Sequence, residues 1–495
     1  MKIGLVQIPM PLNKASKISL QRQIVIQIAK LIEGGVLPSG GQLPSIREFS
    51  REHGVSRNTV ILAYQCLANE GWIEVRPGAL ASISAHPPRH KPKSLSACAC
   101  LEQYRAQNKP TLAREFDFPR LVSPVDSHPV DFRLGVTAAE LFPRDSWQHW
   151  TSVLIRHSAA SMAAYLDPHG LPELRAAIVE HVGITRGIAT DSRDVIIVQG
   201  IQEALSLIAS LLVDDQCGVL LESPGYRGAH NVFQAFGAQI DYLPVDDQGV
   251  NPSSIGPRYR LLHVTPSHQF PMGVTLASDR RLALVEWANR SNAYIVENDY
   301  DGDFRYVDSP LAAMASIDRE RVIYLGTFSK HFGPGLRLGY MICPPSLTPF
   351  VAKAKALLNG GCSWLDQAVV SRLMQNGEFT AHLRSIRRHY KERRDRLVKV
   401  LAKYGGRVRG EGGGMHVCWE LAECAPDARY VESELRSFGV KAYLAEEAAV
   451  CGIPQGNLAR LLFLGFGAAT DDQIFQLDRA LALIIGTVYP AMSLE

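Results

Sequence analysis

Hydrophobic and polar positions divide this chain into three stretches with different periods. From Ile18 to about Leu37, the apolar residues Ile18, Ile24, Ile28, Leu31 and Ile32 recur at the spacing of a helix with one buried face. Pro38-Ser39-Gly40-Gly41 breaks that pattern, and Pro44-Ser45-Ile46-Arg47-Glu48 starts a second short helix that Gly54 ends. Ser56 is placed to cap a third helix, whose Val60, Ala63, Tyr64 and Leu67 form one apolar face and which stops at Gly71. Trp72-Ile73-Glu74-Val75-Arg76 reads as a short alternating strand and Pro77-Gly78 as a turn. Three short helices followed by a small hairpin predict a winged helix-turn-helix domain over residues 1–85.

The period is lost over residues 86–130, where His86-Pro87-Pro88-Arg89-His90-Lys91-Pro92-Lys93-Ser94 opens a Pro-, Lys- and Ser-rich stretch. Loops of this length are rare inside one domain, so the stretch reads as a linker. Over residues 131–495, short apolar runs alternate with helical patterns. They include Val195–Val198, Gly218–Leu221, Leu261–Val264, Tyr294–Val296 and Val322–Leu325. Such runs predict a large α/β domain with a mostly parallel sheet covered on both faces. Ligands in such sheets gather at the strand C-termini.

Composition narrows the classes. With 46% hydrophobic and 20% charged residues, the chain is neither disordered nor collagen-like. Fifty-two Lys and Arg against 49 Asp and Glu leave only +3, so any nucleic-acid surface must be local. The nine cysteines are odd in number and scattered, and Cys98-Ala-Cys100 is spaced too closely for a structural zinc pair. They are expected to be reduced thiols of a cytoplasmic protein, with no bound metal. No run of 18 apolar residues or signal-peptide pattern appears, so no membrane partner is expected.

Two segments carry candidate chemistry. In the head, Arg57, Asn58 and Thr59 stand in the first turn after Ser56, where a recognition helix offers side chains to base edges. Arg47 suits a phosphate contact, and Arg76 lies where a wing would meet a minor groove. In the large region, Thr327-Phe328-Ser329-Lys330 follows an apolar strand and Arg337 stands seven residues beyond Lys330. Hydroxyls and a guanidinium beside a lysine suit a Schiff-base lysine held next to a phosphate site.

The order of motifs across residues 18–78 closely resembles the GntR family of bacterial winged-helix regulators. It runs from Pro38-Ser39-Gly40-Gly41-Gln42-Leu43-Pro44-Ser45-Ile46-Arg47-Glu48, through Gly54-Val55-Ser56-Arg57-Asn58-Thr59-Val60, to Glu70-Gly71-Trp72-Ile73-Glu74-Val75-Arg76-Pro77-Gly78. That resemblance implies double-stranded DNA as partner, with Arg47, Arg57, Thr59 and Arg76 as contacts. The sequence departs from the family after Gly78, where Ala79-Leu80-Ala81-Ser82 follows.

From about Phe132 onward the chain resembles fold-type I pyridoxal-phosphate aminotransferases, and the combination with a GntR-like head resembles the MocR subfamily of regulators. Gln199-Gly200-Ile201-Gln202-Glu203, Glu222-Ser223-Pro224-Gly225-Tyr226, Thr265-Pro266-Ser267-His268-Gln269-Phe270-Pro271, Glu297-Asn298-Asp299-Tyr300-Asp301 and the Lys330 segment are among the segments that carry it. The resemblance implies pyridoxal 5'-phosphate as cofactor and Lys330 as its lysine. The amides of Ile201 and Gln202, with Thr327, Ser329 and Arg337, would hold the phosphate. Tyr226 would stack on the ring and Tyr300 would approach its phenolic oxygen. Either Asn298, favoured by spacing, or Asp299 would face the pyridine nitrogen. Phe270 stands where the enzymes have an Asn, and Phe463 where they have the carboxylate-binding Arg, with Arg460 three residues early. The expected function is a homodimeric DNA-binding transcriptional regulator that senses pyridoxal phosphate, or a small-molecule amine or vitamer effector, with no catalytic residues. An aminotransferase with an appended head, and a DNA-binding protein with a cofactor-free sensory domain, remain alternatives.

Overall fold

The computed structural model describes residues 12–13, 18–76, 79–87, 129–306, 311–452 and 458–486. Pro77-Gly78, Cys98, Cys100 and nearly all of residues 86–130 lie outside them. The chain falls into two units, with the division in sequence between Pro110 and Thr111.

In the first unit, helix α1 (Leu20–Glu33) packs with α2 (Ile46–His53) and α3 (Arg57–Asn69) around Ile24, Ile28, Phe49, Val60, Leu67 and Trp72. Ser19 caps α1, which leaves Ile18 outside the helix and half exposed. Helix α2 begins with a capping box: the Ser45 hydroxyl accepts from the Glu48 amide and the Glu48 carboxylate accepts from the Ser45 amide. It ends at Gly54, whose φ of 62° suits glycine. The wing strand is shorter than its sequence suggests. β1 (Ile73–Glu74) pairs antiparallel with β2 (Ser82–Ile83), because Trp72 and Ile73 both turn into the core rather than alternating. Ala81, in the segment that departs from the family, is buried, and its carbonyl accepts from the Leu43 amide.

The second unit opens with β3 (Val130–Asp131) and then builds an eight-stranded sheet. Its strands are β4 (Val195–Val198), β5 (Gly218–Ser223), β6 (Gln239–Asp246), β7 (Gly249–Val250), β8 (Tyr259–Val264), β9 (Tyr294–Asn298), β10 (Val322–Thr327) and β11 (Gly339–Ile342). They lie in the order β4-β11-β10-β9-β8-β5-β6-β7. All five apolar runs named from the sequence are strands of this sheet. The run from β10 through β9, β8 and β5 to β6 is parallel, whereas β11 is antiparallel to both β10 and β4. Full burial of β4, β5, β9 side chains after Tyr294, and β10 reflects helices on both faces, as with Ile201–Leu212 and Ser278–Ser291. A smaller antiparallel sheet follows from β12 (Arg407–Arg409), β13 (His416–Glu420), β15 (Tyr443–Leu444) and β16 (Leu461–Gly465), while β14 (Val440–Lys441) pairs with β3. Among the described residues, no helix is long and apolar enough to cross a membrane, and the seven described cysteines are free thiols.

Candidate functional site

The C-terminal ends of β8, β9 and β10, with the turn after β4, surround a cavity of about 270 Å³. Nine of the ten residues expected around a cofactor line it: Ile201, Gln202, Tyr226, Asn298, Tyr300, Thr327, Ser329, Lys330 and Arg337. The tenth, Asp299, does not. Successive strand residues point to opposite faces, and Asp299 turns into the layer beneath. There its carboxylate accepts from Arg186 Nε at 2.6 Å and from the Tyr324 hydroxyl at 2.7 Å.

One end of the cavity is built for an anion. Gly200 precedes Ile201–Leu212 without any side-chain cap, so the amides of Ile201 and Gln202 begin that helix unclaimed by one. Thr327 and Ser329 hydroxyls lie 3.0 Å apart, and the Ser329 amide donates to Thr327 Oγ1. Arg337, itself in a left-handed conformation with φ 52°, donates to the Gln199 carbonyl at 2.9 Å. A Cβ on Gly200 would stand 2.9 Å from Arg337 Nη2, so only glycine lets the guanidinium cross the turn.

Across the cavity, Lys330 Nζ donates to the Gly135 carbonyl at 2.7 Å. Burial pulls its pKa below that of an ordinary lysine, with Asp301 opposing the shift, so the neutral amine is easier to reach. Three aromatic rings frame the remaining wall. Phe270 meets Tyr226 and Tyr300 edge-on, with centroids 5.9 and 6.0 Å away. The Tyr226 hydroxyl accepts from Gln202 Nε2, and Tyr300 donates to the His268 carbonyl. Burial, then Asp301, pushes the Tyr300 phenol far above its usual pKa, so it stays protonated.

Several site residues were not singled out in the sequence. Gly135, Thr265 and His416 line the cavity, and His263 contacts Asn298 from behind its wall. The signal for His263 was present: it is the polar residue inside the run Leu261-Leu262-His263-Val264. Gly135 and His416 come from distant segments with no local pattern. His268, Asp301 and His416 offer three possible cation ligands within 4.8 Å of one another. In this structure they form a hydrogen-bonded set, with His268 Nδ1 on Asp301, His268 Nε2 on the Gly410 carbonyl and His416 Nε2 on the Pro271 carbonyl.

The suggested carboxylate-binding positions do not reach the cavity. Phe463 is fully buried in β16 opposite Cys418. Arg460 lies before that strand, in a short turn, and spends its guanidinium on the carbonyls of Leu421, Ala422 and Ala425.

In the first unit, Ser56 caps α3 by accepting from the Thr59 amide, and its hydroxyl also lies 2.8 Å from that of Thr59. Arg47, Arg57 and Asn58 are exposed on α2 and the start of α3. Arg76 is exposed too, but pairs with Glu74 at 3.3 Å on the wing. The residues expected to contact DNA thus stand at the start of α3, on α2 and on the wing.

A three-helix winged head joined to an α/β unit with a lysine-bearing, anion-ready cavity defines a two-part class: a DNA-binding module fused to an aminotransferase fold. Comparison with known proteins agrees. Residues 20–80 match the model of bacterial regulatory proteins of the gntR family, and residues 139–453 match aminotransferase class I and II. The chain is 32% identical to the probable rhizopine catabolism regulatory protein MocR of Rhizobium meliloti, over 79% of each chain. It is 30% identical to the pyridoxine biosynthesis transcriptional regulator PdxR of Corynebacterium glutamicum, over 83% of this chain and 85% of that one. The crystal structure of a multiple substrate aminotransferase from Thermococcus profundus superimposes with a TM-score of 0.66 at 26% identity, covering 73% of this chain and 92% of that one. The chain belongs to the MocR subfamily of GntR-type regulators, DNA-binding transcriptional regulators with an aminotransferase-like domain.

Proposed function

We propose that the large unit binds pyridoxal 5'-phosphate in the cavity and, through it, senses an amine or vitamer effector that alters DNA binding by the head. The observation that carries this reading is the convergence of the Lys330 amine, the anion cradle of Thr327, Ser329, Arg337 and the Ile201–Gln202 amides, and the Tyr226 face in one cavity. The groups fit: the cradle matches a phosphate dianion, and the buried Asn298 Oδ1 lacks a partner that a ring nitrogen could supply. Bound there, pyridoxal phosphate supplies an aldehyde that condenses with primary amines.

The chain's own residues favour sensing over turnover. Lys330, with its pKa lowered, is the amine that would hold the aldehyde end. Tyr226 and Phe270, which meet edge-on in the cavity wall, would screen a bound ring from water. An uncharged Asn298 favours a protonated pyridine nitrogen more weakly than a carboxylate does. The burial of Phe463 and the backbone bonds of Arg460 leave neither as a clamp for a substrate carboxylate. In the head, Arg57, Asn58 and Thr59 would face base edges, Arg47 would hold a phosphate and Arg76 would meet the minor groove from the wing. Two chains would pair through the large units, giving two heads.

Borohydride reduction after incubation with pyridoxal phosphate is expected to leave an adduct on Lys330, mapped by mass spectrometry. Lys330→Ala is expected to lose it while retaining much of the phosphate-site affinity. An adduct on another lysine would refute the site. Turnover of an amino acid at about 1 s⁻¹ or faster, an ordinary enzyme rate, would overturn the sensing reading.

A further inference from the structure

The end of β9 holds a buried pair of polar side chains behind the cavity wall. Asn298 Nδ2 lies 3.3 Å from Nε2 of His263, on the adjacent parallel strand β8, and both side chains are almost wholly buried. Tyr226 stacks over the His263 ring at a centroid distance of 6.3 Å. The other amide atom, Asn298 Oδ1, is buried and without a hydrogen-bond partner. The neighbouring carboxylate cannot stand in for it, because Asp299 is engaged by Arg186 and Tyr324.

A neutral imidazole has one donor and one acceptor nitrogen, and an amide has one end of each kind. The pair can therefore be arranged in two ways. If Nε2 accepts, the amide gives it Nδ2 and presents Oδ1 to the cavity. If Nε2 carries the proton, the amide turns over and presents Nδ2. In this structure Nδ2 is the amide atom facing Nε2, and an amide NH₂ can only donate, so Nε2 accepts and the proton of the neutral ring sits on Nδ1. Burial holds this imidazole neutral, with a pKa pushed down to about 4, so a doubly protonated ring does not compete near neutral pH.

We propose that His263 is a positioning residue that locks the Asn298 amide with Oδ1 toward the cavity, so that the ring nitrogen of a bound pyridine cofactor meets an uncharged acceptor. This rests on the cavity being a pyridoxal phosphate site. An acceptor facing that nitrogen favours its N–H form, since two lone pairs would otherwise oppose each other. The preference is weaker than a carboxylate would impose, because the amide contributes a hydrogen bond without a charge. The pair therefore selects ligands by the protonation of a ring nitrogen and is independent of the lysine chemistry at the opposite wall.

The test is the ¹⁵N resonance of ring-labelled pyridoxal phosphate bound to the full-length protein, read by solid-state spectroscopy at neutral pH with affinity measured in parallel. The wild-type resonance is expected on the pyridinium side of that in His263→Val, whose amide is free to turn over. The affinity of His263→Val is expected to fall roughly three- to tenfold, the range of one ordinary hydrogen bond. His263→Gln, which can offer an oxygen acceptor to Asn298 Nδ2, is expected to follow the wild type, and Asn298→Asp to move further toward pyridinium. Should His263→Val not fold, Asn298→Leu supplies the variant without an acceptor. A wild-type resonance at the neutral-pyridine end, or one unmoved by loss of the His263 acceptor, would overturn the proposal while leaving the cofactor site intact. No bound resonance in the wild type would overturn the cofactor reading itself and this inference with it.

Discussion

Asn298 and Asp299 differ by one carboxylate in place of an amide, and their neighbours give them unrelated roles. Asp299 belongs to a buried cluster in which Arg186 bridges Asp299 at 2.6 Å and Asp303 at 2.9 Å, while His331 and His181 close on Asp303. Burial alone would raise Asp303, but Arg186 and the histidines hold it well below the usual carboxyl range. Breaking a buried pair leaves the surviving charge uncompensated, at a cost of about 3–5 kcal/mol. Asp299→Asn is expected near the lower end, because Asp303 still holds Arg186, and chemical denaturation of the variant checks it. Asn298→Asp is expected to leave the fold standing and to change the cofactor spectrum instead. In the head, an exposed arginine is judged by its partner rather than its packing. Arg57→Ala is expected to lose roughly five- to 150-fold in operator affinity, since a bidentate base contact is worth about 1–3 kcal/mol. Arg47→Ala is expected to weaken specific and non-specific DNA alike. Fluorescence anisotropy with upstream intergenic DNA reads both, and unchanged binding in both would remove them from the interface.

At the scale of elements, the end of β5 carries a titration that reports on the sheet. Burial pushes Glu222 up to about 7, against hydrogen bonds from Thr265 that favour its charged form. In an unfolded chain a Glu titrates near about 4.3. The folded protein therefore holds the extra proton between these values, and this group's contribution to stability falls as pH rises through that window. Buried His263, pushed down to about 4, acts with the opposite sign, since the unfolded ring takes up a proton first and stability falls as pH drops. The two slopes oppose each other in the whole protein, so only a difference isolates one. Glu222→Gln minus wild type is expected to gain relative stability as pH is raised from about 5 to 7, measured as the shift in thermal midpoint. Elements were legible in the sequence where a local period or cap specified them. The three head helices follow their apolar spacing and the Ser45 and Ser56 caps, and the parallel strands follow their unbroken apolar runs. The antiparallel β11 was not foreseen, because Gly339–Ile342 has nothing local to fix its direction and is ordered by β4 and β10 on either side. Nine residues around the cavity are those that the family resemblance implies, carried over motif by motif. Gly135 and His416 carry no such signal, because only tertiary packing brings them there, whereas His263 is marked in the sequence as the polar residue of its apolar run.

At the scale of the molecule, the large unit exposes several large apolar side chains. Leu357 and Leu358 stand 90% and 59% exposed at the end of the helix Thr348–Asn359, and Tyr165 is wholly exposed after the turn Ala159–Ala163. Two adjacent exposed leucines are a candidate for the face through which the proposed pair of large units would meet. A two-fold pair is the commonest way to cover such a face, because one patch then serves both subunits. The pair would also bring two heads to one DNA, so that the second contact becomes intramolecular and binding gains by avidity. Changing Leu357 and Leu358 together to Asp is expected to give a monomer by light scattering while the circular dichroism of the subunit is kept. If the heads act in pairs, that variant is expected to bind a single half-site as well as the wild type does. It is expected to bind a two-half-site operator about a hundredfold more weakly, the lower end of the gain from linked binding. A variant that stays dimeric would place the interface elsewhere on the unit. A monomer that still binds the double site at full strength would show that the heads work one at a time.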